Sequence, residues 1–349
     1  MKSIHNTPAA VGRNRYGRPF ASLDPKAQAV VILDFFGTTH KTRAKDVGAL
    51  TKKARALLLF QVIEELSQAG YHLRTLQSLD QRHITALLHG WLDRGLSSST
   101  LQNRLCGLRW IVGVLGKGGM IRHPSYYGLP EERLRRTYVA ATDKSWSSRV
   151  DDFQALIGKA AELDQWVGMH LQLMHQFGLR MNESIMIRPR ESWVGQTLKI
   201  EEGTKGGRTR VVDVRTDAQV EALKKATEFS KMDRKGGLVP PDKTPAQARR
   251  RIYYVCSKVG ITRSQLEITP HGLRHQYAND LYQEISGTPS VVRGSSRILD
   301  AEAEAKARAA VSRELGHKRL SITGAYTGPD KSALARRLPS RPPQSKHAS

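Results

Sequence analysis

The chain has 349 residues, 39% of them hydrophobic and 25% charged, enough for two domains with cores of their own and too apolar for wholesale disorder. Its 56 Lys and Arg against 32 Asp and Glu leave a net charge of +24, which points to a polyanionic partner, nucleic acid first and an anionic membrane surface second. The longest apolar runs, "AVVILDFF" and "RALLLFQVI", are far too short to span a bilayer, and the opening "MKSIHNTPAAVGRNRYGRPF" lacks the apolar stretch of a signal peptide. Cys106 and Cys256 belong to no C-x-x-C pair, so neither a zinc ribbon nor a disulfide framework is supported. A reducing cytosol is the default compartment, and each thiol reads as a small buried apolar residue.

In chain order, residues 1–48 are basic and poor in periodicity, with Arg13, Arg15 and Arg18 close together. They read as a basic N-terminal extension, either a solvated tail or a DNA-contacting arm. Residues 49–130 turn helical. "ALLLFQVIEELSQAG" carries Leu58, Phe60, Val62, Ile63 and Leu66 before a glycine stop, and "TLQNRLCGLRWIVGVLGKGG" repeats the pattern behind Ser and Thr caps. This predicts a small helical bundle with basic polar faces. Residues 131–148, including "RLRRTYVAATDKSWSSRV" up to Ser148, break the pattern and read as an interdomain linker. A second, mainly helical domain follows over 149–332, interrupted by a β-hairpin signature in "TLKIEEGTKGGRTRVVDV". Its helices include "TDAQVEALKKATEF", "TPAQARRRIYYVCSKVG" and "TPHGLRHQYANDLYQEISG", the last expected to open with Thr269 as N-cap and Pro270 at the first helical position. The segment 333–349 is a basic, proline-containing tail.

The stretch "ITPHGLRHQYAND" poses the chemical question. His271 and His275 stand four apart, a spacing that puts both on one helix face as a zinc site would want. A zinc-protease motif needs a carboxylate where Gly272 stands, and Arg274 would repel a dication. A guanidinium is suited to an anion instead, offering a planar fork matched to two phosphate oxygens. "FGLRMNES" places Arg180 at a helix N-terminus, a second anion-holding feature. "GTKGGRTR" presents Lys205 on a glycine-rich turn, and "ELGHKRLSITGAYTG" supplies His317 and, nine residues later, Tyr326. Singly each has an ordinary reading: surface ion pairs for the arginines, a turn lysine, a helix-capping histidine, a packing tyrosine.

Together, in order, "GLRMNE", "GTKGGRTRVV", "HGLRH", "LGH" and the tyrosine beyond it resemble the tyrosine recombinase (phage-type integrase) family, over roughly 148–330. The resemblance implies a mainly α fold with a small β-hairpin or sheet: a helical core-binding bundle followed by an α+β catalytic domain. It implies site-specific cutting and rejoining of double-stranded DNA through a 3′-phosphotyrosine, with no metal, cofactor or ATP. The family's roles fall on Tyr326 as nucleophile, Arg180 and Arg274 as phosphate clamp, Lys205 as general acid, His271 as base and His317 as a further phosphate donor. His275 takes a supporting place, and Glu183 orients Arg180 or caps its helix. A homotetramer on two DNA sites, an accessory DNA-bending protein and a bacterial cytoplasmic setting on the nucleoid follow from the same resemblance, as does integration or excision of a mobile element. The alternatives are a type IB topoisomerase and a DNA-binding regulator on the same scaffold. In one respect the chain departs from the family: 43 positions separate Arg274 from His317, more than is usual, around "EISGTPSVVRGSSRILDAEAEAKARAA".

Overall fold

In a computed structural model the described residues are 19–39, 46–204, 206–233, 235–295 and 301–330. The chain divides into two compact units, residues 1–136 and 137–349. Each has its own hydrophobic core.

The first unit holds α1 (Pro25–Phe36), α2 (Ala49–Gln68), α3 (Gln81–Asp93), α4 (Ser98–Val114) and the single turn α5 (Glu131–Leu134). Asp24 caps α1 by accepting from the amides of Lys26 and Ala27, with Pro25 in the first position, a pairing that fixes both the orphan amides and φ. Asp80 and His83 form a reciprocal capping box on α3, and Ser97 caps α4. Leu59, Leu66, Leu88, Trp91, Leu105 and Leu108 meet in the core. Buried Gln28 donates to Phe20 O (2.9 Å) and accepts from Leu76 N (2.7 Å), tying α1 to the loop before α3.

Here the structure differs from the sequence reading. Within the expected extension 1–48, Pro25–Phe36 forms a packed helix: Val31, Ile32 and Leu33 of α1 are core residues. Its apolar run Ala29–Leu33 is short and continuous, so it showed no helical stripe, and only the Asp-Pro cap marked the helix. The expected linker 131–148 is also divided. Leu134 belongs to the first core, while Trp146 lies fully buried in the second. Of the cysteines, Cys256 is buried and its thiol is pushed up to about 12 by burial, but Cys106 is exposed rather than buried. The segment 333–349 lies outside the described residues, and no helix among the described residues is long and apolar enough to cross a membrane.

The second unit contains α6 (Phe153–Leu163), α7 (Gln165–Phe177), α8 (Met181–Met186), α9 (Pro189–Ser192), α10 (Asp217–Ser230), α11 (Pro245–Lys258), α12 (Gly272–Ser286), α13 (Ala301–Glu314) and α14 (Gly324–Thr327). Between α9 and α10 runs a three-stranded antiparallel sheet of β1 (Trp193–Val194), β2 (Thr197–Ile200) and β3 (Arg210–Asp213), in sequence order. The β2–β3 register pairs Leu198 with Val212 and Ile200 with Arg210. The same inward face therefore carries Leu198, Ile200 and Val212 into the core together with a charged residue, Arg210, which is only 5% exposed. Capping boxes at Thr216 and Thr244 start α10 and α11. The start of α12 lies later than the sequence reading put it. Thr269 instead closes a turn, its carbonyl accepting from Gly272 N (2.8 Å), and His271 stands in the cap position.

Candidate active site

The site grows from one buried carboxylate. Glu183, in the first turn of α8, caps that helix by accepting from Arg180 N (2.7 Å) and pairs with the Arg180 guanidinium (2.6 Å). The guanidinium pairs with Oε1, while Oε2, which accepts from Arg180 N, also takes Arg210 Nη2 at 2.6 Å and lies 3.7 Å from Arg274 Nη1. Burial alone would raise this carboxyl, but Arg210, Arg274 and Arg180 outweigh it and hold Glu183 near 2. The group is thus permanently charged, and three guanidiniums around one carboxylate leave an excess of positive charge. A permanent field of that kind is what a dianionic phosphorane needs.

Arg274, on α12, is fully buried. Its Nη1 donates to Gly178 O, its Nη2 to Leu315 O (2.6 Å) and its Nε to the Tyr326 hydroxyl (3.2 Å). Burial pulls its pKa down to about 10, which still leaves it cationic at neutral pH. Arg210 reaches the same carbonyl of Gly178 (3.5 Å) and donates through Nη1 to Glu314 O. The two guanidiniums therefore tie the end of α7 to the end of α13.

Beyond α13 the chain reverses at Gly316, whose φ of 64° falls in the left-handed region. A Cβ there would come within 2.7 Å of Arg210 Cδ. The reversal brings the His317 ring against Tyr326, stacked at 5.2 Å. His275 covers Tyr326 at a centroid distance of 4.5 Å, and His271 lies 5.3 Å from His275 and 6.3 Å from Tyr326. The tyrosine, only 7% exposed, is thus ringed by three imidazoles. Burial, followed by nearby cations, pushes all three down, His271 to about 4 and His275 and His317 to about 3. For His271, which keeps an exposed edge, the charges of Arg274, Arg180 and Lys144 add to that effect. Neutral imidazoles can take a proton at neutral pH. Gly272 lets the turn before α12 press on the second core, since a Cβ would lie 2.6 Å from Trp146 Cδ1 and 2.8 Å from Lys144 O. Trp146 completes that contact by donating from Nε1 to Thr269 O (2.7 Å).

Two sequence models match the chain in order: one described as phage integrase, N-terminal, over residues 37–121, and one described as integrase over residues 134–280. The tyrosine recombinase XerC of Neisseria gonorrhoeae is 26% identical over 280 residues, covering 77% of this chain and 81% of its own length. The chain belongs to the tyrosine recombinase (phage integrase) family. Its fold resembles a lambda integrase dimer bound to a COC′ core site, with 16% identity, a TM-score of 0.57 and coverage of 88% of this chain and 78% of that one. It also resembles the XerH recombinase bound to a palindromic difH substrate, with 19% identity, a TM-score of 0.53 and coverage of 83% and 79%.

In this recombinase the structure gathers Arg180, His271, Arg274, His317 and Tyr326 into one cluster. Lys205 lies outside the described residues. The long spacer from Arg274 to His317 does not separate them, because α12 and α13 pack on each other and return the chain to the site. Sequence reasoning missed Arg210. Its only signal was a charge at an inward position of an alternating strand, in register with Leu198 and Ile200. It also missed Lys144 and Trp146, hidden in what looked like a linker. Among the described residues no group of three or more His, Cys, Asp or Glu converges as a metal site.

Proposed function

We propose that this site-specific recombinase cuts and rejoins double-stranded DNA with Tyr326 as its nucleophile. Arg180 and Arg274 hold the non-bridging phosphate oxygens, and His317 donates to the same phosphate. The tyrosine oxygen attacks phosphorus, and the bond from phosphorus to the 5′-oxygen breaks. His271, neutral at working pH, takes the hydroxyl proton, while Lys205 protonates the departing 5′-oxygen. The ester survives as a 3′-phosphotyrosine, so a second 5′-hydroxyl can reverse the step without ATP. Each copy carries one Tyr326, and exchanging four strands between two duplexes calls for four copies, a homotetramer on two sites. Such an enzyme works on the bacterial nucleoid, integrating or excising a mobile element.

The observation that carries this reading is the hydrogen bond from Arg274 Nε to the Tyr326 hydroxyl at 3.2 Å, inside a ring of imidazoles. The contact supports the reading because the Tyr326 oxygen then lies beside a cation able to hold the reacting phosphate. The test is covalent capture. Protein and a Tyr326→Phe control are incubated in EDTA with fragmented DNA from host and element, denatured in SDS, and the attached DNA is sequenced. Adducts at one or a few sites with the unaltered protein alone are expected. Scattered adducts would favour a topoisomerase, and their absence with DNA binding intact would overturn the assignment of Tyr326.

A further inference from the structure

The segment that follows the tyrosine is held by a charge that the catalytic reading leaves without a task. Arg308, on α13, is 6% exposed. Its Nη2 donates to two consecutive carbonyls, Gly328 O at 3.1 Å and Pro329 O at 2.9 Å, two and three residues beyond Tyr326. Its Nε pairs with Glu304 one turn earlier on the same helix (2.5 Å), and Glu304 in turn accepts from the Tyr282 hydroxyl (2.5 Å) on α12. Glu304 and Tyr282 are buried as well. A chain of contacts therefore runs from the helix that carries Arg274, through Glu304 and Arg308, to the backbone just after the nucleophile.

This arrangement is costly for a purely structural peg. Burying a charge pair costs several kcal/mol of desolvation, and well-packed apolar residues often do as well or better for stability. A guanidinium, by contrast, can hold two backbone acceptors through the two hydrogens of Nη2 while its Nε keeps the pair with Glu304. The backbone is shaped to offer them: Gly328 sits at φ 86° and ψ −167°, which no side-chain-bearing residue adopts without strain. A Cβ there would also press on Val291 and Val292 at 3.2 and 3.1 Å. On the upstream side the same segment is held by Ala140 N to Gly324 O (2.8 Å) and by Asn279 Nδ2 to Tyr326 O (3.3 Å). Arg308 closes the downstream side, and it lies in the stretch between Arg274 and His317 that is longer than the family's usual spacing.

We propose that Arg308 is a positioning residue for the nucleophile: by gripping the carbonyls of Gly328 and Pro329 it holds Tyr326 in its own subunit's phosphate pocket. This rests on Tyr326 being the nucleophile. A displacement of about 1 Å at a reacting group can cost roughly a hundredfold in rate, so loss of the grip acts on the chemical step rather than on DNA affinity.

The test measures single-turnover formation of the covalent adduct at saturating DNA, on the fragment recovered by covalent capture, together with the Kd for that fragment and the thermal midpoint. The full-length protein is compared with Arg308→Gln, Arg308→Lys, Glu304→Gln and Tyr326→Phe. Arg308→Gln is expected to slow adduct formation roughly ten- to a hundredfold with an unchanged Kd. Arg308→Lys, which keeps the charge on a shorter side chain without the separate Nε contact to Glu304, should recover part of the rate, and Glu304→Gln should fall between them. If Arg308→Gln does not fold, the Lys and Glu304→Gln variants carry the comparison. Rates equal to the unaltered protein in every Arg308 variant overturn the proposal, and so does a rate loss matched by equal losses in Kd and thermal midpoint. An unaltered protein that forms no adduct fails the Tyr326 reading itself, and the role of Arg308 falls with it. An adduct present in that protein and absent in Tyr326→Phe isolates the Arg308 result.

Discussion

Glu183 Oε2 stands 2.6 Å from Arg210 Nη2, both side chains are buried, and neither residue's neighbours in sequence foretell the pair. The carboxylate is the one anion among three guanidiniums, so it screens Arg210 from Arg274. Glu183→Gln removes that screening and leaves two buried cations facing each other. Removing one partner of a buried pair costs about 3–5 kcal/mol. A denaturant midpoint should fall accordingly, and adduct formation should drop with it because Arg274 is repelled from its place. An unfolding free energy within about 1 kcal/mol of the unaltered protein would show that the pair is not what holds the arginines.

The histidines make stability depend on pH in a definite direction. His170, His271, His275 and His317 all lie below their ordinary value of 6.5 in the folded chain, at about 3 to 4. Between those values and 6.5 the unfolded chain binds more protons than the folded one, so stability rises with pH through this window and is lost on acidification. Glu183, held near 2, adds a loss at lower pH still, as pH falls through the ordinary carboxylate range towards 2. For fully enclosed His170 the shift is worth about 3 kcal/mol by pH 4. Unfolding free energy measured from pH 4 to 7 should climb steadily. A flat profile would mean that His170 and His275 are not desolvated as their burial requires.

The same shift bears on activity. A proton acceptor at 6.5 would be largely charged at pH 5.5, whereas His271 at about 4 stays neutral. Single-turnover cleavage should therefore hold its rate from pH 7 down to about 5 on the limb set by the base, in a window where the fold is still intact by circular dichroism. A fall centred near 6.5 would assign the base to an ordinary, solvated histidine.

What could be read from the sequence divides along physical lines. Arg180, Arg274, His271, His317 and Tyr326 lie in short motifs whose caps and glycines act locally, and the hairpin announced itself by alternation. Arg210 did not, because its partner Glu183 is 27 residues away and the pairing depends on strand register. Trp146 was hidden for a similar reason: its partner Thr269 is 123 residues distant. Helix α1 was missed because its apolar run, Ala29–Leu33, is too short and continuous to show a stripe. Arg308 lies in an alanine-rich stretch with no motif around it, and only the return of the chain at Gly328 gives it acceptors.

Gly316 is where local conformation and the site meet. Its φ of 64° and the 2.7 Å approach of Arg210 Cδ leave no room for a side chain. Gly316→Ala takes on the left-handed penalty of about 1–2 kcal/mol and pushes Arg210 away from Glu314 O. The thermal midpoint should fall by several degrees, and adduct formation should fall further than stability alone accounts for, because His317 follows directly. Normal activity at a temperature where the variant is folded would show that the turn serves the fold only.

Arg274→Lys separates charge from geometry. An ammonium keeps the positive charge but cannot donate to Gly178 O, Leu315 O and the Tyr326 hydroxyl together, as the guanidinium does. Lysine is also a compact point charge whose pKa drops readily on burial, so in this dry pocket it loses part of the charge as well. Two carbonyls left short of donors cost about 1–3 kcal/mol each, and loss of one preorganised donor at a reacting phosphate costs roughly 10²–10³ in rate. DNA affinity, carried mostly by the many phosphate contacts of a basic chain, should change little. Adduct formation at saturating DNA should fall by at least a hundredfold. If Arg274→Lys cleaved at near the normal rate, charge alone would suffice at this position, and the fork geometry on which the site rests would have to be abandoned.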